Sequence, residues 1–333
     1  MTSEGSDTAS ERSTPRAVPA STPPPDGRPE ILALRALKLG DLLVAVPALK
    51  GLRRAFPEHR ILYAAQEWLR PMVALTGAID DLLPTHGLDD PLPIEYGRID
   101  LAVNLHGSGG ESRGRLQEIG ARRRMGHRSE GWDGPEWRNG VLERERWASL
   151  VSWHGVPADP LDVGLLKPEG GSPRPGAVVV HVGAAYGSRL WPVERFAAVA
   201  RTLAGSGHEV LFTGSSKERA RALAVADAAG LGESAVAAGE LSLDRFAGLI
   251  SEASLVISAD TGAAHLASAY ARPSVVLFGP APPSEWGPPP GPHTVLTDES
   301  VRVGETFSPT PDPAIMAVTV EQVLEAAAVH GIS

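Results

Sequence analysis

The 333-residue chain has no cysteine. That excludes a disulfide framework, a thiolate metal site and a cysteine nucleophile, and is compatible with the cytoplasm. No apolar run is long enough to span a bilayer, and the N-terminus has no apolar signal region. Positive charge is not in excess: 31 Lys and Arg face 40 Asp and Glu, a formal net charge of −9. General nucleic-acid binding through phosphate neutralisation is therefore not expected. A GxGxxG dinucleotide fingerprint is missing, as are a GxxxxGK[ST] phosphate loop, an HExxH site and a CxxC pair. The expectation is a soluble, cytoplasmic protein without bound metal or cofactor; peripheral contact with the inner face of a membrane stays open.

What is present is an αβ alternation, set out twice. Residues 1–28 are rich in Ser, Thr, Pro and charge, and the composition predicts a disordered tail. From Ile31 the chain reads as strand (31–34), helix (from Leu42, with Pro47 expected to kink it or end its first part), strand (61–66) and strand (100–107). A Pro-Gly linker, 169–176, separates this from a second series. The second series has strands at 177–184, 209–215, 255–258 and 274–278, with helices between them. Strands alternating with helices build parallel sheets, and a length of 333 suits two domains. The expected fold is α/β, with two doubly wound Rossmann-like domains (29–168 and 177–316) facing a central cleft. A last helix, 317–333, is free to pack on either domain, including back on the N-terminal one.

In such sheets ligands lie beyond the carboxyl ends of the strands, and four polar clusters fall there. The first runs from Arg35 to Asp41, with Gly40 in the tight turn. The second is Asn104-Leu105-His106-Gly107. The third, HVGAAYGSRLWP, holds Gly183 and Arg189. The fourth is Asp260-Thr261-Gly262 with His265 about one turn later. A carboxylate at a strand-to-helix turn is a candidate base. An arginine next to glycines suits phosphate, and the first N–H groups of a helix favour an anion. Each has a plainer alternative: Asp41 as a helix cap only, His106 as a loop residue, Arg189 as a surface partner of Glu194, His265 as a core histidine.

The clusters together resemble glycosyltransferase family 9, the ADP-heptose:lipopolysaccharide heptosyltransferases and their relatives. The resemblance rests on LRALKLGDLLVAVPALKGLRRAFP, DLAVNLHGSGGESRGRL, HVGAAYGSRLWPVERFAAVARTL, FTGSSKERA and SADTGAAHLASAYARPSVVLFGP, in the family's order. It implies a GT-B fold and an inverting, metal-independent transfer of a sugar, a heptose above all, from an ADP-sugar to a glycan or glycolipid acceptor. It implies Asp41 as the catalytic base. Donor binding would fall to Gly183, Arg189, Asp260, Thr261, Gly262 and His265, and acceptor binding to the N-terminal half, where Asn104 and His106 lie. Ala184 and Ala185 depart from the small hydroxyl residues that some members carry near the donor phosphate. Competing readings are a sugar-nucleotide epimerase on the same architecture and a non-catalytic two-lobed binding protein.

Overall fold

The computed structural model describes residues 27–333. The expected tail lies outside the described residues, apart from its last two positions. The first half consists of β1 (Glu30–Leu34), α1 (Leu39–Ala55), β2 (Arg60–Ala65), α2 (Arg70–Leu75), β3 (Asp81–Pro84), β4 (Leu101–Asn104), α3 (Gly110–Glu118), β5 (Arg123–Met125) and α4 (Glu143–Trp153). The second half consists of β6 (Val178–His181), α5 (Val193–Gly205), β7 (Val210–Thr213), α6 (Arg219–Ala229), α7 (Leu243–Ser251), β8 (Leu255–Ala259), α8 (Gly262–Ala269), β9 (Ser274–Leu277), α9 (Pro283–Trp286), β10 (His293–Leu296), α10 (Pro313–Met316) and α11 (Val320–Val329).

Each half holds one parallel five-stranded sheet, in the orders β3-β2-β1-β4-β5 and β10-β9-β8-β6-β7. The central strands are buried on both faces, EILAL in β1 and LVISA in β8, which is why they read as continuous apolar runs rather than alternations. Strand order reverses between β1 and β4 in the first sheet and between β6 and β8 in the second. Loops leaving the carboxyl ends of those pairs diverge to opposite faces and open a crevice. The four polar clusters follow β1, β4, β6 and β8, so each sheet brings two of them to one crevice.

Pro47 does not end α1. The helix runs unbroken from Leu39 to Ala55 with Pro47 buried inside it. Proline removes one donor to the preceding turn, but α1 is clamped between α4 of its own half and α8 of the other. Burial of Leu42, Leu43, Val46 and Leu49 outweighs that loss. The last helix also departs from one expectation. α11 packs on α5, β9 and β10, not on the first half. Val323, Ala326 and Ala327 join the second half's core with Trp191 and Phe196. Arg195 fixes the approach by donating to the carbonyls of Met316 and Val318, both at 2.6 Å.

Candidate active site

In the first crevice the buried Arg35 organises the turn between β1 and α1. Its Nε donates to the backbone oxygen of Asp41 (2.7 Å) and its Nη2 to Asp41 Oδ1 (2.8 Å). Its Nη1 reaches the carbonyl of Leu105 after β4 (2.5 Å). The helix cap is Lys38; Asp41 is the third helical residue, and its Oδ2 accepts from the Lys38 N–H at 3.2 Å. Asp41 does serve the helix N-terminus, as the plainer reading holds, while its side chain keeps about a fifth of its surface open. His106 lies alongside. Its Nδ1 accepts from the Ala36 N–H (3.2 Å), which places the ring proton on Nε2. Burial, helped by Arg35, pushes its pKa down to about 4. Asn104 is buried and turned inward: its amide donates to Ser112 Oγ (3.0 Å) and its carbonyl accepts from the His106 N–H (3.1 Å). It shapes the loop that carries His106.

In the second crevice Arg189 meets Asp260. Arg189 Nη1 lies 3.0 Å from the Asp260 carbonyl and 3.2 Å from its Oδ2. The partner is thus Asp260, not Glu194. Alignment with the carboxylate is poor: Arg189 Nε and Asp260 Oδ2 are buried and make no hydrogen bond, so the guanidinium keeps unused donor capacity. His265 Nε2 stands 3.7 Å from Asp260 Oδ1. Burial holds this histidine below its ordinary pKa, although Asp260 and Asp41 pull it upward. Thr261 caps α8, accepting from the Ala263 N–H (3.3 Å) and sharing a 2.8 Å hydroxyl contact with Ser258. At Gly183 a Cβ would sit 2.2 Å from the Glu218 carboxylate carbon. The glycine therefore makes room for a carboxylate that also accepts from the Ser215 N–H at 2.6 Å.

The two crevices face each other across a closed seam. A Cβ at Gly40 would lie 3.0 Å from the His265 ring, and one at Gly262 only 2.7 Å from Leu39 Cδ2. Lys38 Nζ sits 4.5 Å above the Tyr186 ring, and Arg144 on α4 donates to the Gly287 carbonyl (2.6 Å). Two cavities lined by His265 and Ser268 hold about 20 and 10 Å³, the first lying in the seam against Leu43, Val44 and Arg144 and the second within the second half. That is room for a water, whereas a nucleotide sugar needs a pocket of several hundred cubic ångströms. Among the described residues no group of three or more His, Asp or Glu could hold a metal ion, and no helix is long and apolar enough to cross a membrane.

Gly262 and His265 lie at this seam and Asp41, Arg189, Asp260 and Thr261 adjoin them, whereas Asn104, His106 and Gly183 make their contacts within their own halves. Sequence reasoning placed Arg35 in the first polar cluster without a role and passed over Glu143. The stretch ERERWASL in α4 carries no motif that sets Glu143 apart. The signal available for Arg35 was a charged residue directly after a predicted buried strand; Glu143, at a helix start, had none.

Two sheets whose switch points oppose each other define the GT-B class. Residues 160–306 match the family described as Glycosyltransferase family 9 (heptosyltransferase); Arg189 and the Asp260–His265 group fall inside that segment, Asp41 outside it. Lipopolysaccharide heptosyltransferase 2 of Escherichia coli K12 is 22% identical over 319 residues, covering 76% of this chain and 84% of its own. Lipopolysaccharide heptosyltransferase 1 of Pseudomonas aeruginosa is 33% identical over 157 residues, 45% of this chain and 43% of its own. The solved structure of the E. coli ADP-heptose lipopolysaccharide heptosyltransferase II superposes with a TM-score of 0.73 at 21% identity, covering 90% of this chain and 98% of that one. The chain thus has the GT-B fold, and it resembles the heptosyltransferase-like glycosyltransferases of family 9.

Proposed function

We propose that the protein transfers a heptose from ADP-heptose to a glycan acceptor of the lipopolysaccharide-core type, with inversion and without a metal ion. The observation that carries this reading is the opposition of Asp41 to the Arg189–Asp260–His265 group across one seam, Gly40 lying against His265. The relatives supply the substrate class: they are lipopolysaccharide heptosyltransferases, and one solved structure is of an ADP-heptose enzyme.

In this mechanism Asp41 accepts the proton of the attacking acceptor hydroxyl, and Arg35 and the Lys38 N–H hold the carboxylate at one angle. Arg189 and the N-terminal N–H groups of α8 stabilise the charge that gathers on the departing diphosphate, the task a divalent cation performs in other transferases. Arg189 Nε is uncommitted and is free to donate to a phosphate oxygen. His265 and His106, both held neutral at pH 7, offer an uncharged N–H or lone pair to sugar hydroxyls. The seam must open to admit substrates. Its reclosure then excludes water from the reaction.

The test is a panel of nucleotide sugars, with ADP-heptose among them, incubated with and without a heptose-deficient lipopolysaccharide core and with or without EDTA. The expected result is acceptor-dependent ADP release, a mass gain of one heptose on the acceptor, an inverted anomeric carbon by NMR and no effect of EDTA. A sugar altered without ADP release would instead establish an epimerase. Donor binding without any conversion would make the protein a two-lobed binder.

A further inference from the structure

Asp41 is one end of a buried row of alternating charges. Arg35 Nη2 contacts two carboxylates at once, Asp41 Oδ1 at 2.8 Å and Glu143 Oε2 at 3.4 Å. Glu143 belongs to α4 and lies 108 residues from Arg35 in sequence. Its other oxygen accepts from Arg146 Nε (2.7 Å), and its Oε2 also accepts from the Trp147 indole N–H (3.0 Å). The Trp147 ring lies under the Arg35 guanidinium at 4.6 Å. Arg35 and Arg146 are buried, and the Glu143 side chain keeps only 12% of its surface. Four ionised groups with so little water must pair closely or shift their protons.

From this arrangement we infer that Glu143 is a positioning residue for Asp41, acting through Arg35. The inference rests on the reading of Asp41 as the base. An arginine paired to one carboxylate alone stabilises its ionised form and makes it a poor proton acceptor. Here the same nitrogen is shared. Glu143 takes part of the guanidinium's charge, places a second negative charge close to Asp41, and fixes the fork of Arg35 so that it cannot swing. Arg146 in turn moderates Glu143. The other charged or titratable groups around Asp41 are Lys38 at the start of α1, Tyr63 on β2, His106 after β4 and His265 on α8. None of them shares Arg35's nitrogens. Glu143 is also the member carried by a separate helix, so movement of α4 would be felt at the base.

The experiment is a carboxylate titration by ¹³C NMR on the full chain, with the Asp41 signal assigned by its loss in Asp41→Asn. It is run beside turnover of ADP-heptose with a heptose-deficient lipopolysaccharide core. In Glu143→Gln the Asp41 titration is expected to move down by about one pH unit, the effect of losing one nearby like charge. Turnover at neutral pH should fall at least about threefold, as expected of a weaker base, with ADP affinity unchanged. Arg146→Gln leaves Glu143's charge less compensated and is expected to move the titration the opposite way. Opposed shifts support the inference, and either variant suffices if the other does not fold. A folded Glu143→Gln or Arg146→Gln with the Asp41 titration of wild type overturns it, as do shifts of the same sign. A purely structural Glu143 would lower the melting temperature and leave the titration alone. Near-normal turnover by Asp41→Asn would remove the base reading itself, whatever the titrations show.

Discussion

Gly262 is the first residue of α8, and an alanine there has two opposed effects. In a helix alanine is favoured over glycine by up to about 1 kcal/mol, so on propensity alone the substitution should stabilise. The structure sets a clash against it. The new Cβ would lie 2.7 Å from Leu39 Cδ2, 3.0 Å from its Cγ and 3.1 Å from its Cβ. Three atoms of one buried side chain are too close, including the one nearest its backbone, so rotating the tip of Leu39 does not relieve the contact. Overpacking of this kind costs about 1–3 kcal/mol. The contact exists only where the two halves touch, so the cost falls on closure. That corresponds to roughly a 5–150-fold shift of the closed-to-open ratio. The assay is small-angle scattering for the radius of gyration, with ADP calorimetry and turnover on the same samples. Gly262→Ala is expected to be more extended and slower, and to keep ADP binding to the second half, since alanine retains the N–H. In a Leu39→Ala background the same substitution should be neutral or stabilising, because the space it needs is then open. If Gly262→Ala is equally harmful with Leu39 and with Ala at position 39, the glycine is not there for the seam and the argument fails.

Asp41→Asn keeps the size of the side chain and can keep the cap to the Lys38 N–H, but it then sets an NH2 against the Arg35 guanidinium, so a lower melting temperature is expected beside a fall in turnover of roughly two to four orders of magnitude, the usual worth of a general base; initial rates on the folded variant decide it, and near-normal rates would clear Asp41 of that role. Arg189→Ala should weaken ADP binding and turnover together and also lower thermal stability, because it strands the buried Asp260 carboxylate; Arg189→Lys should recover part of each. Calorimetry that finds unaltered ADP affinity in Arg189→Ala would make the arginine purely structural. His106 has a folded pKa of about 4 against an ordinary value near 6.5. The unfolded chain therefore binds its proton first, and stability present above about pH 6.5 is lost as pH falls toward 4. His106→Gln, which keeps an acceptor for the Ala36 N–H, should flatten the melting-temperature profile in that window; an unchanged slope would contradict this.

The apolar runs of β1, β2, β6, β8 and β9, the glycine-bearing turns after them and the αβ alternation are local features, set by neighbours a few residues away. They were legible for that reason, and with them the two sheets and the four polar strand ends. Pro47 misled because a local rule met a helix held on two sides. α4 and the last helix were opaque for a related reason: an amphipathic face says that something covers it, not what. The sequence by itself determined which residues stand at carboxyl ends of strands, because strand length and turn chemistry are local. Only the tertiary structure decided that Arg189 pairs with Asp260, 71 residues away, that Gly262 must yield to Leu39, and that Arg35 divides one nitrogen between Asp41 and a glutamate 108 residues on. Those contacts join elements far apart in the chain, and their partners are chosen by strand order and by the fit of one sheet's helices on the other's, quantities that no short window of sequence contains.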